Sequence, residues 1–307
     1  MLMQKEFDSN ASPLPSGGLI RLQARATDLV SRLAPTWATL CGVIASGGFR
    51  WQEQDWLRLA LLVLLVDGGW GTLWAALVGS DWAKPFRRRR QSRWRPGQEN
   101  PAVARLPYTL PGAPGGRLSH LLGRLHSWWR EVLWPTCGSS LLAILAALPV
   151  TALLGALLGP ELLLLSMAAL ALMQLGVVWQ DGHSVVPPGL DAFISVALSW
   201  LAGHVAFGPV TLGSAVLAVL FALAWGNAWR VKSGRGRALA TSSQLLATAA
   251  LVALHRPFAA GMLFLLLVPQ MMLLPATRNA QPATWYVRYT RPWLMAAMAV
   301  AALALVL

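Results

Sequence analysis

The sequence predicts an all-α polytopic membrane protein with about nine transmembrane helices. Hydrophobic residues make up 56% of its 307 residues and charged residues only 12%, and the mean hydropathy is +0.53. Soluble domains are far more polar than this. Apolar stretches of about 17–25 residues recur along the chain, and each is long enough to cross a hydrocarbon core of ~30 Å as a helix.

The apolar stretches follow one another from residue 33 to residue 307. Continuous apolar runs favour helices over barrel strands, which alternate in hydrophobicity over segments of about ten residues. The first stretch is short and glycine-rich, and the last follows a polar, aromatic entry. The predicted spans are 33–49, 55–79, 132–156, 158–180, 190–209, 211–229, 238–255, 257–276 and 291–307.

Two polar segments lie outside these spans, and 33–307 is predicted to be a single transmembrane domain. Residues 1–32 are rich in Ser, Pro and Gly, which predicts a flexible cytoplasmic tail without a cleavable signal peptide. Residues 80–131 form a basic cytoplasmic loop. Between Leu118 and Trp129 its apolar side chains fall on one side. This pattern fits either an amphipathic helix at the interface or the first turns of the third span.

The distribution of positive charge predicts the orientation in the inner (cytoplasmic) membrane. The chain carries 25 Lys and Arg against 12 Asp and Glu, a net charge of +13. With the N-terminus in the cytoplasm, every Lys and Arg lies on the inner side except Arg50, Arg58 and Arg256. This asymmetry is the positive-inside rule, and it places the C-terminus on the opposite side. The basic excess is interpreted first as a topology signal, and nucleic acid is not an expected partner. Binding of anionic lipid heads by the Arg87–Arg90 run is a second interpretation.

Asp67 is the most unusual polar residue, because it lies in the middle of the second predicted span. A carboxylate inside a bilayer is energetically costly and marks a functional candidate. The neighbouring Gly68, Gly69 and Gly71 permit close helix approach. One interpretation is a contact to a proton or ligand in a cavity, with His204 as a partner. The other is a protonated or hydrogen-bonded Asp67 that ties helices together.

Other polar residues near the inner helix ends are weaker candidates. Gln174 and Asn227 would line a cavity or bond between helices, and Asp181 opens the loop after the fourth span. Asp181 and the nearby His183 supply too few ligands for a metal. The two cysteines, at 41 and 137, lie in apolar spans without metal-binding spacing and are predicted to be small buried apolar side chains. No metal site is predicted.

Short motifs in the chain follow one another in a recognisable order. Asn227, Arg230 and Gly234 match the motif Asn-Asp-x-Arg-Asp-x-x-Gly-Asp, whose acidic positions here hold Ala228, Val231 and Arg235. At the end of the second span, the first three residues of a related Asn-Asp-x-x-Asp motif become Ala75, Ala76 and Gly79, with Asp81 out of register. Further matches are Arg95-Pro96-Gly97 and the Pro187-Pro188-Gly189-Leu190 loop.

This succession resembles the UbiA prenyltransferase superfamily over residues 30–307. The resemblance implies a nine-helix bundle with a central cavity open to the cytoplasm. In that family the two aspartate motifs bind Mg²⁺, which holds the diphosphate of a polyprenyl donor. Mg²⁺ requires oxygen ligands, and the Ala, Val and Gly at the motif positions supply none.

The degraded motifs favour a pseudoenzyme, a non-catalytic or repurposed family member without a cofactor. It would bind an isoprenoid, quinone or tailed pigment, or serve in a membrane complex, in contact with membrane lipid. Arg95, Asp67, Gln174, Asp181, His204 and Asn227 are the ligand or cavity candidates.

Two alternatives remain open. The first is an active polyprenyl (aromatic) prenyltransferase in which Asp81, Asp181 and Asp191 hold Mg²⁺ instead. The second is a small transporter or channel-like protein that uses Asp67.

The orientation can be tested with two matched cysteine variants, Arg50→Cys and Arg93→Cys, in a chain whose two native cysteines are replaced by Ala. We expect a membrane-impermeant maleimide added outside intact cells to label position 50 and to leave position 93 unlabelled until the membrane is opened. Labelling of position 93 from outside would reverse the topology.

Overall fold

The computed structural model describes residues 33–80, 82, 85, 122–123, 125–179, 188–275 and 283–307. Across these ranges the chain is helical and forms no strand, so the all-α prediction is confirmed for them. The predicted tail 1–32 and most of the predicted loop 80–131 fall outside the described ranges.

The helices are numbered here in chain order. They are α1 (Ala34–Ser46), α2 (Glu53–Val78), α3 (Leu125–Leu158), α4 (Pro160–Trp179), α5 (Pro188–Phe207), α6 (Leu212–Ala228), α7 (Gly234–Ala253), α8 (Pro257–Leu273) and α9 (Ala283–Val306). Three of them contain a π-helical segment, at Leu64–Trp70 in α2, Trp129–Leu133 in α3 and Phe193–Leu198 in α5.

Local sequence explains where several helices begin and end. A capping box formed by Gln52 and Asp55 opens α2, because each side chain satisfies a backbone N–H that the first turn leaves unpaired. The hydroxyl of Ser233 does the same for α7 by accepting from the Gly236 N–H at 3.0 Å. Helices α1 and α3 end at Gly47 and Gly159, whose positive φ angles of 64° and 136° suit glycine.

Five helices, α2, α3, α4, α5 and α9, are long and apolar enough to cross a membrane. Helices α6 and α8 are apolar but shorter. Two boundaries differ from the sequence prediction by about two turns of helix. Helix α9 begins at Ala283 rather than near residue 291, and α3 is already helical at Leu125. From Leu125 onward, the amphipathic stretch therefore forms the first turns of the third helix.

Large apolar side chains cover the outside of the bundle, as a bilayer requires. Only 28% of the most apolar window is buried in α3, and the same share in α4. Continuous exposed apolar surface of this kind would be unstable in water. The exposed residues on these two helices include Leu142, Leu145, Leu148, Leu153, Leu157, Leu164, Met167 and Val178. The helices thus support an integral membrane protein.

Helix α5 joins two apolar cores. One core contains Ala197 and Trp200 of α5 together with residues of α1, α6, α7, α8 and α9. The other contains Ile194 and Leu198 of α5 together with residues of α2, α3 and α4. Among the five candidate spans, α5 is the most buried, at 61% of its window. The position of α5 therefore determines how the two apolar cores lie relative to each other.

Helices α1 and α5 cross with their backbones in contact. A Cβ added to Gly42 would collide with the carbonyl oxygen of Trp200, and one added to Gly203 would collide with the carbonyl oxygen of Thr39. Small residues permit this approach, which is a common way for membrane helices to pack.

Gly203→Ala is expected to destabilise the fold by about 1–3 kcal/mol, because even one methyl group cannot fit the crossing without backbone movement. Thermal unfolding in detergent measures the effect. Gly261→Ala in α8 is the matched control, since an added Cβ there meets no atom within 4 Å. Equal unfolding temperatures for the two variants would contradict the assignment of this crossing.

Candidate functional site

A tryptophan and an aspartate connect the end of α2 to the start of α5. The Trp74 indole Nε1 donates a hydrogen bond to Asp191 Oδ1 at 2.8 Å. Gly176 of α4 lets these two helices come together, because a Cβ there would lie 2.7 Å from Leu190 and 3.2 Å from the Trp74 ring. The pair is therefore held in place by the packing of three helices.

Arg291 of α9 lies between two further indole rings. Its guanidinium carbon is 5.2 Å from the ring centre of Trp225 and 5.3 Å from that of Trp229. The residue is only 4% exposed, and its charge attracts the Asp191 carboxylate. We call Trp74, Asp191, Trp225, Trp229 and Arg291 the inner cluster.

The inner cluster joins helices that are far apart in sequence. Trp74 comes from α2, Asp191 from α5, Trp225 from α6 and Arg291 from α9. Close contact between α5 and α6 supports it, because a Cβ on Gly226 would lie 3.0 Å from Ala192, Gly189 and Pro188. The Trp74–Asp191 hydrogen bond and the two cation–π contacts of Arg291 thus connect four helices.

The positions of the second motif are packed into apolar surroundings. Val231 is 0% exposed and forms a small apolar cluster with Ala228, Tyr286 and Val287. Asn227 donates from Nδ2 to the carbonyl of Leu223 in its own helix at 2.8 Å. That bond is intrahelical rather than between helices.

The rest of the second motif forms the turn between α6 and α7. The hydroxyl of Ser233 donates to the Arg230 carbonyl at 2.8 Å, and Gly236 packs directly on that carbonyl, where no side chain would fit. Arg230 is exposed on this turn, and Arg235 is exposed in the first turn of α7.

The first motif lies in the last turn of α2. Ala76 is buried and Ala75 is half-buried, while the Gly79 N–H donates to the Ala75 carbonyl at 2.9 Å. The following Ser80 hydroxyl bonds the hydroxyl of Ser140 in α3 at 2.6 Å. Asp81, Arg95 and Asp181 lie outside the described residues.

A Mg²⁺–diphosphate site does not fit the motif positions that the structure describes. Mg²⁺ needs several oxygen ligands in near-octahedral geometry, and these positions carry alanine, valine and glycine instead. No group of three or more His, Cys, Asp or Glu residues forms a metal-ligand set within the described ranges. Asp191, the alternative ligand that can be located, is bonded to Trp74.

His204 serves a structural role at the other end of α5. Its Nε2 lies 2.9 Å from the Pro209 carbonyl, which can only accept, so this nitrogen carries the hydrogen. Nδ1 then accepts from the Ser214 hydroxyl at 3.0 Å, and Ser214 also accepts from the Trp200 indole. Both ring nitrogens are occupied, so His204 is not the partner of Asp67.

Gln174 and Asp67 do not join the inner cluster. Gln174 is exposed on the outer surface of α4. Asp67 is half-buried within the π-helical segment of α2. Neither side chain forms a hydrogen bond or ion pair with the described part of the chain.

Sequence reasoning missed Trp74, Trp225 and Arg291 as site residues. Indoles near helix ends are interfacial anchors by default, so Trp74, Trp225 and Trp229 individually carry no distinct functional signal in the sequence. The four-residue spacing of Trp225 and Trp229 places both indoles on one helix face, and Arg291 follows a polar entry to the last span. These two signals together could have indicated the cation–π site.

Comparisons with protein-family models, with curated proteins and with solved structures gave no match for this chain.

Replacing Trp74 with Phe is expected to lower stability by about 1–3 kcal/mol, because the Asp191 carboxylate loses its indole donor. The loss of stability caused by Trp74→Phe should be smaller in the Asp191→Ala background. A double-mutant cycle of unfolding in detergent measures this difference. Trp51→Phe is the control, since Trp51 is mostly exposed. Additive losses at positions 74 and 191 would show that the bond contributes nothing.

Proposed function

We propose that the chain is a nine-span, UbiA-like membrane protein that has lost Mg²⁺-dependent prenyl transfer and serves in a membrane complex. The observation that carries the proposal is the burial of Val231, at an acidic position of the second motif, among Ala228, Tyr286 and Val287. A side chain that holds Mg²⁺ must reach the hydrated metal and the negatively charged diphosphate bound to it. A side chain buried at position 231 can reach neither.

The inner cluster supports the same conclusion. It links α2 and α6, the helices that carry the two motif positions, through Trp74, Asp191, Arg291 and Trp225. In the family resemblance these helices face a metal-filled cavity. Here indole contacts to Asp191 and Arg291 connect them, which favours a structural use of the bundle.

A second form of the proposal is binding of an isoprenoid, quinone or tailed pigment. A cleft of about 420 Å³ between α7 and α8 favours it. The cleft is shallow and largely open to its surroundings. Its lining combines apolar side chains with one guanidinium, as a tailed lipid with a polar or anionic head requires, and consists of Gly234, Arg237, Ala238, Thr241, Met271, Leu274 and Pro275.

The alternative is an active prenyltransferase with rearranged ligands Asp81, Asp181 and Asp191. One observation favours it: the Asp191 carboxylate lies beside the last turns of α2, through its bond to Trp74, and Asp81 follows that helix in sequence.

Purification in mild detergent, with mass spectrometry of the co-purifying proteins and lipids, separates these functions. We expect a stoichiometric protein complex or a stoichiometric isoprenoid lipid, and no diphosphate release from geranylgeranyl diphosphate with Mg²⁺ and an aromatic acceptor. Mg²⁺-dependent release that disappears in Asp81→Ala and in Asp191→Asn would establish the enzyme instead.

Restoring an acid at the second motif provides a sharper test. Val231→Asp is expected to destabilise the protein by about 3 kcal/mol or more, with no rescue by Mg²⁺, because the carboxylate would be buried without a partner. Arg235→Asp restores another acidic motif position on an exposed turn and should be tolerated. A Mg²⁺-dependent rise in the unfolding temperature of Val231→Asp would show that a metal site survives.

A further inference from the structure

Asp67 lies near the middle of α2 (Glu53–Val78), inside the π-helical segment Leu64–Trp70. Its carboxylate has no hydrogen-bond or ion-pair partner in the described part of the chain. Ionisable groups at this depth are costly unless they find a partner. π-Helical segments are frequent at functional sites, where they re-aim a side chain.

One side of this segment packs into the bundle. Leu65, Val66 and Trp70 are buried in the core shared with α3 and α4. A Cβ on Gly69 would lie 2.7 Å from the Thr151 hydroxyl of α3. This side has no room for another helix.

The described residues leave the other side of the segment uncovered. A Cβ on Gly68 would meet only the Leu64 side chain, and one on Gly71 only the Val66 carbonyl, both within α2 itself. Leu64 is 52% exposed. We call Leu64, Asp67, Gly68 and Gly71 the Asp67 face. Two glycines with open space beside a carboxylate allow another helix to approach closely and reach it.

We propose that the Asp67 face docks a transmembrane helix of a different protein, one that carries a Lys or Arg at mid-membrane depth. This assignment rests on the proposed function in a membrane complex and names the surface used. Charge complementarity identifies the occupant, because a cation removes the cost of the carboxylate and gains a strong hydrogen bond.

A second copy of this chain does not meet that requirement. Of the basic residues within the candidate spans, Arg58 bonds the Leu158 carbonyl at 3.1 Å, and Arg291 lies in the inner cluster. Arg130 and Arg288 lie near the ends of their helices, away from the depth of Asp67. Two copies meeting at this face would oppose two carboxylates.

The test uses the full-length protein in liposomes and a synthetic poly-leucine transmembrane peptide with one central Lys. Energy transfer between labelled protein and labelled peptide reports association. We expect the Lys peptide to associate about three- to tenfold more tightly than the same peptide with a central Leu. This preference should vanish in Asp67→Leu, and Gly68→Leu and Gly71→Leu should weaken binding of the Lys peptide.

Gly261→Leu in α8 is the matched control, because position 261 also has open space and should leave binding unchanged. Asp67→Leu removes no contact with the described residues, so its unfolding temperature should stay at the wild-type value or rise. Equal binding of the Lys and Leu peptides, or a Lys preference that survives Asp67→Leu, would overturn the proposal.

Failure of this inference is distinguishable from failure of the proposed function. If the native complex persists in Asp67→Leu, the proposed function stands and the Asp67 face is not the docking surface. If the chain purifies without partners but still prefers the Lys peptide, the Asp67 face is a cation-binding surface and the proposed complex is rejected.

Discussion

The backbone contact between α1 and α5 is the constraint on which the rest of the structure depends. Gly42 and Gly203 leave no space for a side chain where the two helices cross. Because α5 contributes to both apolar cores, its distance from α1 determines how the two halves of the bundle meet. Lipid provides no hydrophobic force between helices, so close van der Waals packing of this kind carries much of their association.

The placement of the charged residues inside the bundle depends on this packing. Asp191 lies in the first turn of α5. Its side chain reaches Trp74 only because α5 packs closely between α2, α4 and α6. Arg291 then supplies the opposite charge from α9, with its guanidinium spread over two indole faces. These directional contacts fix the geometry in which α2, α5, α6 and α9 meet.

The sequence predicts helical segments far better than it predicts their contacts. Long apolar stretches report directly on the bilayer, so the spans at 55–79, 132–156, 158–180 and 190–209 match helices that can cross it. The sequence prediction placed the start of α9 too late, because the helix begins with a polar segment. Within that segment, Tyr286 and Val287 are buried by tertiary packing rather than by lipid. Neither the bond between Trp74 and Asp191 nor the occupation of both His204 nitrogens is visible in local sequence, since each depends on another helix or on a turn. Residue type alone showed that Ala228 and Val231 cannot hold a metal, whereas their burial required the fold.

Helix α3 also has a consequence for the shape of the protein at the membrane surface. It contains 34 residues, which at 1.5 Å per residue makes a rod of about 51 Å, well beyond a hydrocarbon core of ~30 Å. Strong tilting absorbs only part of this excess. Trp129 and Trp134 are exposed on its first turns, as expected for indoles at the headgroup level. The first turns of α3 therefore pass through the headgroup layer, which brings the start of this helix within reach of a peripheral protein that stays outside the hydrocarbon core.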